Sequence, residues 1–250
     1  MDSSITDLTE YPTKQRKNII ALLDKFDEVS VIGGLPTRYE SAFKHVKREN
    51  RTSYTITSED PKTTAQFIHE TVNKKKNYHV SLSNPKIKGD PDQQTEKVVV
   101  VLDLDVNHEG QTSNGIKNFK KELAEYFRNH PRTFSVRTKS GGLHLYYYAP
   151  VELIQEYNAQ KVVNFIDGVD IISSNNNPDK MYCLIGPGSY STYDSYVNAD
   201  KTRYSIEENV AIQPLPQPFI DFLKQERVNY SNWHKEELRR LQKLKTTEDM

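Results

Sequence analysis

Residues 97–105 read KVVVVLDLD and form the strongest strand pattern in this 250-residue chain. A continuous run of β-branched and apolar residues is typical of a strand buried on both faces, so Lys97–Leu104 is predicted to be a central strand. Because side chains alternate along a strand, Asp103 and Asp105 should point to the same face. Leu102 should point to the opposite face, into apolar packing.

Two carboxylates side by side at the end of a buried strand repel each other, and the arrangement is costly unless cations neutralise it. Hard divalent ions such as Mg²⁺ and Mn²⁺ prefer oxygen ligands of this kind. Asp103 and Asp105 are therefore candidate metal ligands. The alternative from the residues alone is a pair of solvated acids that cap the following helix.

On either side of this strand, helical and extended patterns alternate, which predicts an α/β or α+β domain. Before it we predict helices and strands at Pro12–Phe26 (helix), Val29–Ile32 (strand, stopped by Gly33-Gly34), Tyr54–Thr57 (strand), Asp60–Asn73 (helix) and Tyr78–Leu82 (strand), then a loop at Asn84–Gln94. After it we predict a loop at His108–Asn114, helices at Gly115–Asn129, Val151–Phe165, Phe219–Arg227 and Trp233–Lys245, and strands at Phe134–Thr138, Leu143–Tyr148, Gly168–Ile172 and Met181–Ile185.

Composition excludes several classes of protein. Net charge is zero, so no global positive field favours nucleic acid, and basic residues would have to be concentrated locally. The single cysteine, Cys183, excludes an intramolecular disulfide and a multi-cysteine zinc site. The sequence has neither a long apolar run nor a signal-peptide pattern, so we expect no membrane span and a cytoplasmic location, which is the host cytoplasm if a virus or plasmid encodes the protein.

A second motif lies at residues 137–146, which read RTKSGGLHLY. The glycine pair permits a tight turn and a close backbone approach to a ligand. A serine hydroxyl and backbone N–H groups in such a turn suit phosphate oxygens, and the flanking basic residues add positive charge. Candidate nucleotide-binding residues are therefore Arg137, Lys139, Ser140, Gly142 and His144. On the returning strand, His144 should share one face with Tyr146 and Tyr148, two candidates for stacking on a base.

Three motifs in order resemble the archaeo-eukaryotic primase superfamily, and above all its bifunctional primase–polymerase (prim-pol) branch. The two acids, Asp103 and Asp105, resemble the first motif. Ser140, Gly142 and His144 resemble the second. Gly168-Val169-Asp170-Ile171 resembles the third, with Asp170 as the remaining carboxylate.

The resemblance extends further in part. Residues 186–189, GPGS, are similar to a turn that often follows in that family, whereas the segment after Asp170 lacks the family's usual basic residue.

The resemblance implies an α+β fold, in which an RRM-like mixed or antiparallel sheet is flanked by helices and joined by an N-terminal α/β subdomain. Residues 1–95 would form that N-terminal part and residues 96–225 the catalytic, palm-like part, while 226–250 would be a charged helix or linker. The implied activity is template-directed nucleotidyl transfer, as a DNA primase, a DNA polymerase or both, in the replication of a plasmid, phage or virus.

The same resemblance implies two divalent ions, Mg²⁺ or Mn²⁺, held by Asp103, Asp105 and Asp170, with His144 as a donor to the incoming triphosphate. Expected partners are a single-stranded or primed DNA template and dNTPs or NTPs. A helicase or a helical priming module, either C-terminal in a longer protein or acting in trans, is compatible with the charged end of the chain.

Two other functions remain open on the sequence. Asp103 and Asp105 also resemble the nucleophile and acid/base of haloacid dehalogenase-like phosphatases, although no closing acidic pair follows and the second motif is then unexplained. A non-enzymatic replication-origin DNA-binding module would need neither acid. Nucleotide binding that depends on metal ions separates a polymerase from such a module.

Overall fold

The computed structural model describes residues 20–35, 53–68, 79–106, 113–138, 140–156, 161–173 and 205–226. Residues 20–23 are helical and lead into the first strand. The strands are β1 (Phe26–Leu35), β2 (Ser53–Thr57), β3 (His79–Ile87), β4 (Lys97–Leu104), β5 (Ser135–Arg137), β6 (Leu143–Pro150), β7 (Lys161–Ile166), β8 (Val169–Ser173), β9 (Ser205–Glu208) and β10 (Gln213–Pro214). The other helices are α1 (Pro61–Ile68), α2 (Gly115–Glu122), α3 (Ala124–Phe127), α4 (Val151–Glu156) and α5 (217–226).

In the part of the chain that the structure describes, the larger sheet has seven strands and is built around β4. Its order is β7-β8-β4-β6-β5-β9, and β10 pairs with β6. All of these pairs are antiparallel except β10–β6, which is parallel, so the sheet is mixed. With β8 on one side and β6 on the other, β4 lies in the interior of the sheet, and this explains why nearly all of its residues are buried.

The smaller sheet is antiparallel, with the order β2-β1-β3. It packs against one face of the larger sheet, because Val29 and Val31 of β1 belong to the same apolar cluster as Val99 and Val101 of β4. The opposite face of the larger sheet is covered by helices, where Leu102 joins a cluster with residues of α4 and α5. The architecture is therefore α+β with antiparallel pairing dominant, as the sequence predicted.

Several of the predicted boundaries were wrong. The helix predicted over Pro12–Phe26 ends at position 23, and Phe26 begins β1. Strand β1 continues through Gly33-Gly34 to Leu35, because its pairing with β3 extends to that end. Strand β3 extends to Ile87 across Pro85, inside the predicted loop. Among the described strands β3 pairs with β1 alone, which makes it an edge strand of the described sheet, where proline is tolerated. The predicted helix over 151–165 ends at Glu156, and β7 follows, since the run from 161 to 166 is rich in β-branched residues.

The helix starts follow the expected capping chemistry. Asp60 precedes α1, and its Oδ1 accepts hydrogen bonds from the backbone N–H groups of Lys62 and Thr63, at 3.0 and 3.3 Å. Asn114 caps α2 by accepting from Lys117 N–H at 3.0 Å. The predicted helix Gly115–Asn129 divides at position 123 into α2 and α3.

Several predicted elements lie wholly or partly outside the described residues: positions 12–19, 69–73, 78, 108–112, 157–160, 181–185, 186–189, 227 and 233–245. Within the described part of the chain, no helix has the length and apolar character that crossing a membrane requires.

Candidate active site

The alternation along β4 decides which face holds the acids. Val99 and Val101 pack toward the smaller sheet, while Leu102 and Leu104 pack toward the helices. Asp103 follows the valines and therefore lies on the face that the smaller sheet covers, near the carboxyl end of the strand.

Strand register brings the second and third motifs directly beside the first. Asp103 is paired across β4–β6 with His144 and across β4–β8 with Asp170. Directly opposed residues in antiparallel strands have their Cβ atoms about 4.5–5.5 Å apart on the same face. Asp170, Asp103 and His144 thus form one row across three adjacent strands, which we call the acidic row.

Asp103 and His144 are in close contact. His144 Nε2 lies 3.1 Å from Asp103 Oδ1, and the two side chains are 5% and 15% exposed. The distance suits an ion pair, but the contact lacks hydrogen-bond geometry. Asp103 Oδ1 is buried and receives no hydrogen bond from any group in the described part of the chain.

Asp170 is held from the edge of the sheet. Its Oδ1 accepts a hydrogen bond of 2.8 Å from the backbone N–H of Asn164 in β7. Asn164 has φ 50°, in the left-handed region, and it lies where the β7–β8 register is irregular. Asn164 belongs to none of the three sequence motifs. The only sequence signal for this conformation is that an asparagine interrupts a β-branched run, since asparagine is among the non-glycine residues that adopt positive φ most often.

Asp105 follows the end of β4, and two backbone hydrogen bonds fix its main chain. Its N–H donates to Gly168 O at 2.8 Å, and its C=O accepts from Gly115 N–H at 2.7 Å. The two glycines touch each other: a Cβ on Gly115 would lie 2.0 Å from Gly168 O. The end of the first motif, the start of α2 and the turn before the third motif therefore meet at one point.

The turn of the second motif packs against the end of β4. Thr138 N–H donates to Gly142 O at 3.0 Å, and Gly141 N–H, with φ 90° at that residue, donates to Thr138 O at 3.1 Å. A Cβ on Gly142 would lie only 2.4 Å from Leu104 O, so glycine permits this approach. Ser140, whose Oγ lies 3.1 Å from Thr138 Oγ1, is thus at the same end of β4 as the acids.

Arg137 lies on the other face of the sheet. Val136 belongs to the cluster under the smaller sheet, so its neighbour Arg137 points to the helix side, into a cleft of about 510 Å³. There its guanidinium donates to Glu207 at 2.9 and 2.5 Å and to Gly141 O at 3.2 Å. These hydrogen bonds to Glu207 raise the pKa of Arg137. Lys139 is outside the described residues.

The tyrosines of β6 alternate as predicted, but they are buried. Tyr147 packs on the helix side, and burial raises its pKa. Tyr146 and Tyr148 share the face of His144, yet Tyr146 is fully buried and meets Phe134 edge-on, with ring centroids 5.3 Å apart. Stacking of Tyr146 on a base is therefore excluded in this arrangement, because the smaller sheet covers that part of the face.

The donor chemistry of the acidic row fits a divalent cation, although the ligands are not assembled into a closed cluster. Within the described ranges, no group of three or more His, Cys, Asp or Glu side chains is arranged to enclose a metal ion. Asp103 and Asp170 nevertheless place two like charges directly opposite each other, and one buried Asp103 oxygen receives no hydrogen bond. A cation would relieve both costs.

Residues 57–218 match the protein family described as bifunctional DNA primase/polymerase, N-terminal (Prim-Pol). The match covers more than half of the chain. The chain belongs to the Prim-Pol family. Among proteins with curated descriptions, none matches this sequence.

The Prim-Pol match spans all three motifs, from Asp103 to Asp170. It confirms the resemblance that these motifs indicated. Membership gives the chain a function of the DNA primase/polymerase type and decides against the phosphatase interpretation of Asp103 and Asp105.

Proposed function

We propose that this protein is a template-directed nucleotidyltransferase, a DNA primase, a DNA polymerase or both, that serves the replication of a plasmid, phage or virus. One observation supports this more than any other: strand register places Asp103 between Asp170 and His144 on one face of the sheet. Three motifs separated by up to 67 positions in sequence thereby become neighbours, as a shared site requires.

Asp103, Asp105 and Asp170 would hold two divalent ions, Mg²⁺ or Mn²⁺. Such ions neutralise the attacking and leaving oxygens of a phosphoryl transfer. The contribution of the protein is to hold the carboxylates in place. Asp103 and Asp170 are fixed by their strands, and Asp105 is fixed through its backbone.

His144 would donate a hydrogen bond to the triphosphate of the incoming nucleotide. It is 4% exposed and lies beside the Asp103 carboxylate, so its position is set by packing before a nucleotide arrives. A donor oriented in advance in a site with little water stabilises developing negative charge more strongly than one in solvent.

Ser140, Gly142 and Lys139 would contact phosphate oxygens from the turn between β5 and β6, which abuts the end of β4. For Arg137 the geometry supports a different task from the one the sequence suggested. Its guanidinium is engaged by Glu207 and Gly141 O on the far face, so we assign it to supporting the turn.

The test is primer extension on a single-stranded DNA template, with and without an annealed primer, in Mn²⁺ or Mg²⁺. We expect wild-type protein to incorporate dNTPs or NTPs, and Asp103→Asn to lose at least about 100-fold of that activity, as when a charge-stabilising group is removed. Asp24→Asn is the matched control, because Asp24 is 65% exposed and its partner is Lys88, remote from the motifs.

The reactions without an annealed primer show whether the protein starts new strands or only extends existing ones. If wild-type protein gives no product and shows no metal-dependent nucleotide binding, the proposal is wrong. If it then still binds the DNA template, the protein is a non-enzymatic DNA-binding module.

A further inference from the structure

The hairpin formed by β7 and β8 carries one of the three acids, Asp170, and main-chain groups of the hairpin bind the Asp170 carboxylate and the backbone of Asp105. Asn164 N–H in β7 donates to the Asp170 carboxylate at 2.8 Å. Gly168 O in the turn accepts from Asp105 N–H at 2.8 Å. In each contact the hairpin contributes a main-chain group, so both contacts depend on its backbone conformation.

The first contact exists because β7 is irregular. Between the pairs Val162↔Ile171 and Ile166↔Val169, the five residues 162–166 face the three residues 169–171. Asn164 occupies this bulge with φ 50°. A bulge redirects backbone groups out of the regular ladder, and here it directs an N–H toward the side chain of Asp170.

The second contact exists because the turn packs tightly on α2. Gly168 has φ 75°, and a Cβ there would lie 2.9 Å from Gly115 N. Asn118 of α2 adds a hydrogen bond of 2.8 Å from Nδ2 to Asp167 O. The turn is thus fastened to the helix that follows the first motif, and the Asp105 backbone lies between them.

We propose that the β7–β8 hairpin is a positioning element for the metal-binding carboxylates. In this arrangement Asn164 orients the Asp170 side chain, and Gly168 fixes the Asp105 backbone. Neither residue contacts substrate. The inference rests on the proposed function, because orientation of these carboxylates matters for cation affinity only if they bind the ions.

The first test compares Asn164→Val with Asn164→Gly. Both variants lack the asparagine side chain, but glycine keeps the left-handed conformation, whereas β-branched valine favours a regular strand and withdraws the N–H from Asp170. We expect Asn164→Val to weaken Mn²⁺ binding about 10-fold to 100-fold, the range found when partners of metal ligands are lost. Asn164→Gly should stay within about twofold of wild type by the same reasoning.

The second test compares Gly168→Ala with Gly89→Ala. Both glycines have nearly the same positive φ, 75° and 78°, so the backbone strain of alanine is matched. Only at position 168 would the new Cβ meet another backbone, since nothing lies within 4 Å at position 89. We expect Gly168→Ala, but not Gly89→Ala, to weaken Mn²⁺ binding.

Binding is measured by calorimetry with Mn²⁺ alone, without nucleotide or DNA. The Mn²⁺ concentration for half-maximal primer extension and the thermal unfolding midpoint are measured beside it. A merely structural role would lower the midpoint and leave the Mn²⁺ affinity of the folded protein unchanged. That result would overturn this inference but not the proposed function. The same holds if Asn164→Val and Gly168→Ala bind Mn²⁺ as tightly as their control variants do. Wild-type protein that neither binds Mn²⁺ nor extends primers would overturn the proposed function and this inference with it.

Discussion

Replacing Lys97 by methionine should destabilise the fold severely, because Lys97 lies in a buried ion pair at the start of β4. Its side chain is 8% exposed and its ammonium group pairs with Asp90, whose side chain is 5% exposed. The ammonium also donates to Asp92 O and lies 3.5 Å from Asp92 Oδ2. Methionine keeps the apolar stem of lysine but removes the charge, so the Asp90 carboxylate loses its cation.

The magnitude follows from what Asp90 retains. Removing one partner of a buried ion pair costs about 3–5 kcal/mol, because the other charge remains desolvated. Asp90 Oδ1 would keep the Asp92 N–H at 3.2 Å and the Tyr148 hydroxyl at 3.4 Å, which compensate in part. We therefore expect a loss near the lower end, about 3 kcal/mol in the free energy of unfolding. For a chain of this size, that loss lowers the unfolding midpoint by about 6–12 °C.

Urea and thermal unfolding followed by circular dichroism measure this loss. Lys86→Met is the matched control: its partner is Glu28, the two side chains are 53% and 38% exposed, and such a pair contributes at most about 1 kcal/mol. The double variant Lys97→Met/Asp90→Asn should recover much of the loss, since no charge then remains buried. If Lys97→Met costs no more than Lys86→Met, the buried pair does not stabilise the fold and the reasoning is refuted.

Two further predictions concern the turn of the second motif. Gly142→Ala should cost about 1–3 kcal/mol, because its Cβ would overlap Leu104 O; an unchanged or raised stability in urea unfolding would contradict the packing argument. The hydrogen bonds with Arg137 lower the pKa of Glu207 from its ordinary value, 4.5. The pair therefore stabilises the fold above that pH, and its contribution is lost as the pH falls through the lowered pKa. Glu207→Gln should be less stable than wild type at neutral pH, and the difference should shrink as the pH is lowered below 4.5, as urea unfolding over that pH range would show.

Local sequence patterns predicted the central strand well and its neighbours less well. The predicted strand Lys97–Leu104 has the same first and last residues as β4, because a β-branched run buried on both faces favours no other structure. The helix predicted over 151–165 failed since Val162 and Val163 fit a strand as well as an apolar helix face, and pairing with β8 decides between them. Gly33-Gly34 and Pro85 looked like strand ends, but the pairing of β1 and β3 extends over them.

The sequence by itself determined the motifs of this protein, and hence its family: two acids at the end of the central strand, a glycine turn with a histidine, and a third acid. Only the tertiary structure decided that Asp103 lies between His144 and Asp170, because cross-strand register depends on pairing between distant segments. It also decided that Arg137 lies on the far face and that Asn164 holds Asp170. The face on which a strand residue lies follows from side-chain alternation only once the pairing of that strand is known. A bulge depends on how two strands fit together, so neither feature can be predicted from residue types alone.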